Sequence, residues 1–236
     1  IEAYLNKSIE EWQVAYDEDK ESRKKKKEKE DNSLSVEDEA ASKKAIWNTL
    51  NRRRHLILLA QNEKGLENLF KLVSKSYKRP NFFRYPRVDY ALLKEHSEGV
   101  IAASACLGGV YAGCLWENKE EGEEAVLTAM REVTEKMLDI FGDRWYGELQ
   151  WNNVPEQHEL NKYIIQMSEE YGIKLISTCD SHYPNPDAWR TREAYKRIGY
   201  IVKRWKKEIV EIPQHVDEIG YELYPKNGDQ VWESYI

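Results

Sequence analysis

Two side chains able to bind a metal ion stand close together late in the chain. Asp180 and His182 follow the short apolar run GIKLIST, with Cys179 before them and Pro184 after them. On an extended segment, residues two apart point to the same side, so we expect Asp180 and His182 to face one cavity. An ordinary polar turn would explain the same residues. The metal interpretation therefore depends on partners elsewhere in the chain.

Three more residues with metal-binding side chains are predicted at or near strands. Glu2 lies in the strand-like segment IEAYL, His55 directly precedes LILLA, and Cys106 follows GVIAASA. Carboxylate, imidazole and thiolate ligands together suit Zn²⁺, Mn²⁺ or Fe²⁺ and fit Mg²⁺ or Ca²⁺ poorly. Each residue alone is more often structural than a ligand. The sequence predicts a multi-metal site only if all five residues converge at one end of a single domain.

The segments around these residues alternate between strand and helix patterns. The strand patterns are HLILLAQ, GVIAASACLGG, RWYGELQW and IKLIST. The helical patterns between them are EKGLENLFKLVSKSY, EEGEEAVLTAMREVTEKMLDIFG and PEQHELNKYIIQMSEEYG. This alternation predicts an α/β domain with a parallel sheet, either open or closed into a barrel. In such folds, active sites gather at the carboxyl ends of the strands.

Composition limits the classes of protein to which the chain can belong. Its 236 residues can form one large domain or two small ones with a buried core. A net charge of -6 argues against nucleic-acid binding through bulk positive charge, though not against a local basic groove. No apolar run approaches the roughly 18 residues that span a bilayer. The three cysteines are too sparse for a disulfide framework and favour a reducing cytoplasm. A start at Ile1, without a signal peptide, predicts a segment of a longer protein.

Residues 6–52 differ from the remainder of the chain in being highly charged and poor in apolar residues. Apolar positions at helical spacing occur around Trp12 to Tyr16, whereas the centre, ESRKKKKEKEDNS, predicts either a solvated helix or a disordered loop. The following stretch, SVEDEAASKKAIWNTL, predicts a helix with Ser35 as its N-cap. Because acidic residues flank the basic tract, an exposed insertion is favoured over a phosphate-binding segment.

The other histidines and several tryptophans have mainly structural interpretations. His96 is expected at a helix C-terminus, where it suits the macrodipole, and His158 on an exposed helix face. His215 belongs to a polar segment near the end of the chain. Trp189 and Trp205 lie beside basic residues, and together with Trp151 they could stack on bases, but a helix at AWRTREAYKRIGYIVKRWKKE packed on the domain is favoured. The basic face of that helix is the best local candidate for phosphate contact.

Five segments, in this order, resemble the PHP domain of bacterial DNA polymerase III alpha subunits, the C-family replicative polymerases. They are IEAYL, HLILLAQNEKGLENLFKLVSKSY, EGVIAASACLGGV, RWYGELQ and LISTCDSHY. The resemblance implies an α/β fold, an incomplete PHP-type distorted (β/α)₇ barrel with a charged helical or disordered insertion. It implies that residues 1–5 and 53–200 form the partial PHP domain and that residues 6–52 form the insertion. Residues 201–236 are similar to the segment that leads toward the polymerase core.

The resemblance also implies a set of metal ligands. They are Glu2, His55, Cys106, Asp180 and His182. In the family, this end of the barrel holds up to three divalent ions, here expected to be Zn, Mn or Fe, which activate water to attack a phosphoester. The family's first ligands, an H-x-H pair and a later Asp and His, would precede Ile1. Cys179 stands where most relatives have Asn, and we expect it to pack away from the metal ligands.

The activity implied for the intact protein is that of a DNA-directed DNA polymerase acting in replication with Mg²⁺, its polymerase aspartates lying beyond Ile236. The PHP site is then expected to be a metal-dependent phosphoesterase or 3′–5′ exonuclease. The expected partners are DNA primer-template, deoxynucleotides, a sliding clamp and other replisome subunits, in the cytoplasm of a bacterium or its phage, with no membrane. A stand-alone PHP phosphoesterase of the histidinol-phosphatase kind and a non-catalytic structural module are the alternatives.

Overall fold

A computed structural model describes residues 1–28, 52–203 and 222–235. Three sequence-based predictions lie outside these residues: the helix capped by Ser35, the position of His215 and the position of Trp205. In the part of the chain that is described, no helix is both long and apolar enough to cross a bilayer.

Five strands form one sheet, in the order β1-β2-β3-β4-β5. Their bounds are β1 Glu2–Leu5, β2 Arg54–Ala60, β3 Val100–Ala103, β4 Trp145–Gln150 and β5 Lys174–Thr178. Strands β3, β4 and β5 pair in parallel, whereas β2 is antiparallel to both β1 and β3. The predicted parallel sheet is therefore correct for the last three strands and wrong for β2. Since β2 is the only one of the five that runs the other way, β1 points in the same direction as β3, β4 and β5.

The described residues also form eight α-helices. Their bounds are α1 Ile9–Glu28, α2 Glu63–Ser76, α3 Tyr90–Glu95, α4 Val110–Asn118, α5 Glu123–Phe141, α6 Pro155–Tyr171, α7 Trp189–Lys203 and α8 Gly228–Tyr235. Helix α6 begins at the predicted Pro155 and ends before Gly172, whose φ of 68° is easily adopted by glycine. Local sequence signals thus set the ends of this helix.

One face of the sheet packs against helices α2, α4, α5 and α6. Because side chains alternate along a strand, the strand pairing places every second residue on this helix-covered face. Its core includes the fully buried side chains of Leu56, Leu58, Ala102 and Trp145. Burying a leucine completely contributes about 1.5–3 kcal/mol, so this face supplies much of the stability of the fold.

The opposite face of the sheet, here called the site face, carries the polar residues. Tyr4 pairs with His55 and Glu2 with Ile57, so these side chains share one face of β1 and β2. The pairing continues through β3 and places Glu148 of β4 on the same side. The sheet therefore has the apolar core on one face and the candidate metal-binding residues on the other.

The beginning of the charged segment, where apolar positions occur at helical spacing around Trp12, is packed against the domain. Ile9 and Trp12 of α1 are 3% and 2% exposed. Trp12 stacks on Tyr16 with ring centroids 5.2 Å apart and lies 4.8 Å from the Phe83 ring. These few apolar residues suffice to attach the first turns of α1 to the domain.

Candidate metal centre

The carboxyl ends of β1, β3, β4 and β5 and the amino end of β2 lie at one edge of the sheet. The loop after β3 carries Cys106, the loop after β5 carries Asp180 and His182, and His55 is the second residue of β2. Glu2 is the first residue of the four-residue strand β1 and therefore lies at its amino end, on the site face two residues before Tyr4. The topology thus brings elements distant in sequence to the same end of the domain.

Glu2, His55 and Cys106 are in direct contact. An oxygen of the Glu2 carboxylate lies 2.5 Å from Nδ1 of His55, and Sγ of Cys106 lies 3.7 Å from the same nitrogen. Carboxylate, imidazole and sulfur together are donors suited to Zn²⁺, Mn²⁺ or Fe²⁺. Within the described ranges, no three His, Cys, Asp or Glu side chains are arranged to hold a metal ion. The geometry therefore supplies a suitable donor set, not a finished coordination sphere.

Two glycines let the loop after β3 approach His55 closely. A Cβ on Gly108 would lie 3.1 Å from atoms of the His55 ring, and a Cβ on Gly109 would lie 2.1 Å from the Ser104 carbonyl oxygen. The backbone N–H of His55 donates to the Gly108 carbonyl at 2.9 Å, and that of Gly108 points to Sγ of Cys106 at 3.4 Å. The paired glycines in SACLGG thereby hold Cys106 against His55.

The Cys106 thiol is stabilised in its protonated form. Burial raises its pKa to about 11, and the negative charge of Asp180 adds to the effect. A pKa this high favours the neutral thiol at physiological pH.

Asp180 and His182 do not lie on an extended segment, so the reasoning that pointed both side chains the same way is wrong. Asp180 has a φ of 43°, and β5 ends at Thr178. The His182 ring is exposed, and its Nδ1 lies 2.8 Å from the carbonyl oxygen of Asp180 in the same turn. The charge of Asp180 reaches Cys106, whereas among the described residues His182 contacts Asp180 but not Glu2, His55 or Cys106.

Glu148 is a buried carboxylate at this centre that the sequence analysis did not identify. It is 4% exposed, and its two oxygens accept hydrogen bonds of 2.8 Å from the Ala105 N–H and the Thr178 hydroxyl. Burial raises the pKa of Glu148, and the charge of Asp180 adds to that effect. Because Ala105 precedes Cys106 and Thr178 precedes the Asp180 turn, Glu148 joins the two loops. The sequence signal for Glu148 was a charged residue within the mainly apolar strand WYGELQ.

The segment before α8 fastens the turn that carries His182. The backbone N–H of His182 donates to the Leu223 carbonyl at 2.8 Å, and the Leu223 N–H donates to the Tyr183 hydroxyl at 3.2 Å. Sγ of Cys179 accepts from the backbone N–H of Lys226 at 3.4 Å. Cys179 therefore packs against this segment, as expected from its position.

Two of the remaining histidines are described. His96 caps the C-terminal end of α3, as predicted, and is buried. Burial lowers its pKa. His158 was expected on an exposed face but is half-buried, with its ring centroid 6.2 Å from that of Trp151. The described side-chain contacts of His96 are with Glu95 and those of His158 with Trp151, separate from the contacts that join Glu2, His55 and Cys106.

A cavity of about 870 Å³ lies elsewhere, on the helix-covered side, where α1, α4 and α5 meet. Its lining is of mixed charge, with the acidic residues Glu11, Glu117, Glu121, Glu124 and Glu132 and the basic residues Lys7, Arg52, Arg54 and Lys136. None of the five predicted metal ligands lines this cavity.

Comparison with known proteins identifies a family. The family model for the PHP domain matches residues 1–152. The DNA polymerase III subunit alpha of Aquifex aeolicus is 42% identical over 161 residues, covering 67% of this chain. Proteins of the same name from Thermus aquaticus and Borreliella burgdorferi are 34% and 32% identical over 61% and 77% of the chain.

The matched region is a small part of each relative. It spans 12% of the Aquifex aeolicus protein, 11% of the Thermus aquaticus protein and 15% of the Borreliella burgdorferi protein. The similarity therefore concerns one region of much longer polypeptides.

Proposed function

The chain belongs to the PHP domain family, and from that premise we propose that it is the PHP segment of a DNA polymerase III alpha-type replicative polymerase. The observation that carries the proposal is the 42% identity to the Aquifex aeolicus subunit over two thirds of the chain. The intact protein would extend a DNA primer on a template in the cytoplasm, using deoxynucleotides, Mg²⁺ and residues outside this chain. Its partners would include a sliding clamp and other replisome subunits.

We further propose that the candidate metal centre hydrolyses phosphodiester bonds at a DNA 3′ end. The ligands would be Glu2, His55, Cys106, Asp180 and His182, completed by residues of the intact protein, with Zn, Mn or Fe as the metal. A bound divalent ion would supply an activated water and polarise a phosphoryl oxygen. The 2.5 Å contact with Glu2 holds Nδ1 of the His55 ring, which leaves the Nε2 lone pair available.

A stand-alone phosphoesterase is a less favoured function. The segment that forms α2 resembles the polymerase family, and the relatives compared are DNA polymerase III alpha subunits. A purely structural PHP module would keep the same fold while lacking hydrolysis. Direct measurement of the two activities separates these alternatives.

The polymerase proposal is tested by reading the coding sequence on both sides of the chain and expressing the whole reading frame. We expect the full-length protein to extend a primed template in the presence of Mg²⁺. An open reading frame too short to contain a polymerase, or a full-length protein without primer extension, would refute it.

The hydrolytic proposal needs a separate assay on the same protein. We expect wild-type protein to contain a divalent metal by elemental analysis and to shorten a 5′-labelled single strand. Asp180→Asn should lose at least about ten-fold of that activity, whereas Asp187→Asn, an exposed change outside the centre, should retain it. Metal-loaded wild-type protein without hydrolysis would instead establish the structural module.

A further inference from the structure

Three consecutive arginines precede or begin β2, and two of them have an evident structural role. Arg52 and Arg54 both pair with Glu117 of α4, Arg52 at 2.9 Å. Burial by itself would raise the pKa of Glu117, but hydrogen bonds from Arg54 and Arg52 lower it below its ordinary value. These two arginines therefore attach the start of β2 to the helix-covered side.

Arg53 makes a different set of contacts. Its guanidinium lies 3.9 Å from the centroid of the Tyr85 ring and 5.6 Å from that of Tyr4. The two tyrosine rings meet edge to face, with centroids 6.1 Å apart. Within the described ranges, no carboxylate forms an ion pair with Arg53. A guanidinium stacked by its face keeps its edge N–H groups available to bind an anion such as phosphate.

This group of three residues borders the candidate metal centre. Tyr4 pairs with His55 across β1 and β2, and their ring centroids are 5.5 Å apart. Glu2 lies on the same face of β1, two residues from Tyr4. A ligand lying on Tyr85 and Arg53 would therefore extend directly to Glu2 and His55.

Burial of the rings does not account for this arrangement. Tyr85 is 45% exposed and follows Arg84, a non-glycine residue with a φ of 62°. By contrast, Arg87 stacks 4.0 Å above Trp12 with both side chains fully buried, which is the pattern of a structural contact. An exposed cation–π contact stabilises a fold only weakly. Nevertheless, the Tyr85 ring is kept exposed next to Arg84, whose backbone adopts the left-handed conformation.

We propose that Arg53, Tyr4 and Tyr85 form a docking platform for the 3′ end of single-stranded DNA. A base stacks on the exposed ring of Tyr85, and Arg53 binds the adjoining phosphate. This delivers the terminal phosphodiester toward Glu2, His55 and Cys106. Exposed aromatic rings interleaved with arginine are how proteins commonly bind single strands without sequence preference. The proposal rests on the proposed hydrolytic function and names how that centre receives its substrate.

The platform is tested by photocrosslinking on the full-length protein, in EDTA and with unlabelled primer-template present to occupy the polymerase site. The probe is a deoxythymidine oligonucleotide with 5-iododeoxyuridine at its 3′ end, and crosslinks are mapped by mass spectrometry. We expect the wild-type crosslink at Tyr85. Its total yield should fall about ten-fold in Tyr85→Ala and stay within about two-fold in Tyr85→Phe, since phenylalanine still stacks.

Two further variants distinguish loss of the platform from general destabilisation of the protein. Tyr146→Ala removes another tyrosine with a cation 5.6 Å away, Lys174, on β4, three strands across the sheet from Tyr4, and should leave the crosslink unchanged. In Arg53→Gln, a plot of the logarithm of oligonucleotide affinity against the logarithm of salt concentration should have a slope smaller in magnitude by about one than in the wild type. Thermal unfolding of each variant checks that it is folded.

Three outcomes would overturn the platform: a wild-type crosslink that maps elsewhere, an equal loss in Tyr146→Ala, or competition by free dTMP as effective as that by the oligonucleotide. The last would identify a mononucleotide site instead. Because the crosslink needs neither metal nor hydrolysis, an inactive wild-type protein would refute the hydrolytic function alone. Loss of the platform, conversely, would leave that function intact.

Discussion

At the scale of single residues, the candidate centre depends on a carboxylate that is not among the predicted ligands. Glu148 accepts one hydrogen bond from the loop of Cys106 and one from the strand end that precedes Asp180. Ala105, which donates the first of these bonds, has a φ of 61°. A backbone conformation of this kind persists where its surroundings hold it. Glu148 is thus placed to fix the loop of Cys106.

Replacing Glu148 should separate its packing from its hydrogen bonding. Glu148→Ala leaves the buried Ala105 N–H without its acceptor and should lower the free energy of unfolding by about 1–3 kcal/mol. Glu148→Gln keeps an oxygen for Ala105 and should cost less. Urea denaturation of both variants measures the difference. Equal losses would show that the hydrogen bond to Ala105 is unimportant.

A second prediction concerns Gly109, which caps the start of α4. Gly109→Ala places a Cβ against the carbonyl oxygens of Ser104 and Cys106, at 2.1 and 2.8 Å, so the loop must move. We expect at least about 1–3 kcal/mol of destabilisation, as for overpacking in a close-packed interior, and reduced metal uptake. Unfolding and metal titration measure the two effects. Gly122→Ala is a control at a position where a Cβ meets no atom within 4 Å, although its φ of 102° adds strain of its own. A stable Gly109→Ala variant would contradict the close-approach argument.

At the scale of elements, sequence patterns predicted most strands and helices but not how they are arranged. Apolar runs and helical spacing marked β1 to β5 and helices α2, α5, α6 and α7. The direction of β2 was missed because a short apolar strand has the same pattern in parallel and antiparallel pairing. The turn at Asp180 was missed because a positive φ at a non-glycine residue has no sequence signal. Glu148 was missed because a single charged residue in a strand is equally compatible with solvent exposure.

Helices α5 and α6 are joined by a bidentate ion pair whose effect on stability should depend on pH. Arg131 donates to both oxygens of Glu170, at 2.8 and 3.0 Å, and lowers the carboxyl pKa to about 2. A lowered folded-state pKa stabilises the fold above the ordinary carboxyl pKa of 4.5, and the effect is lost as pH falls toward 2.

Glu170→Gln should therefore lower the melting temperature slightly at pH 7, and this difference should shrink progressively below pH 4.5. The effect is small because the pair is solvent-screened. Calorimetry across this range measures it, with the exposed neighbour Glu169→Gln as control. A difference that stays constant down to pH 2 would show that the carboxylate charge is not its cause.

At the scale of the whole molecule, the segment before α8 is attached to the loop after β4, at the carboxyl end of that strand, through a buried lysine. The Lys226 side chain is 2% exposed, and its ammonium donates to the Trp151 carbonyl at 2.9 Å, to Glu222 at 2.5 Å and to Ser234 at 2.6 Å. With three partners, the buried charge is well compensated. The segment is therefore an integral part of this end of the domain.

Lys226→Met should detach this segment. The change removes three hydrogen bonds and should lower the free energy of unfolding by about 1–3 kcal/mol, with faster proteolysis near residues 222–227. Lys162→Met, at an exposed position on α6, provides the control. Unchanged proteolysis in Lys226→Met would mean that the contacts of Leu223 and of the Lys226 backbone hold the segment in place.

The two faces of the sheet have a consequence for how such a protein can diversify. Along β1 to β4, residues that pack the core alternate with residues that lie on the site face. A gene library that randomises only Tyr4, Ile57 and Ile101 would therefore vary ligand preference while Leu56, Leu58 and Ala102 keep the interior intact. Inserting a single residue into β2 would instead move the core-facing residues beyond the insertion to the site face and the site-facing residues to the core. Selection can explore new substrates on this scaffold by substitution much more readily than by insertion.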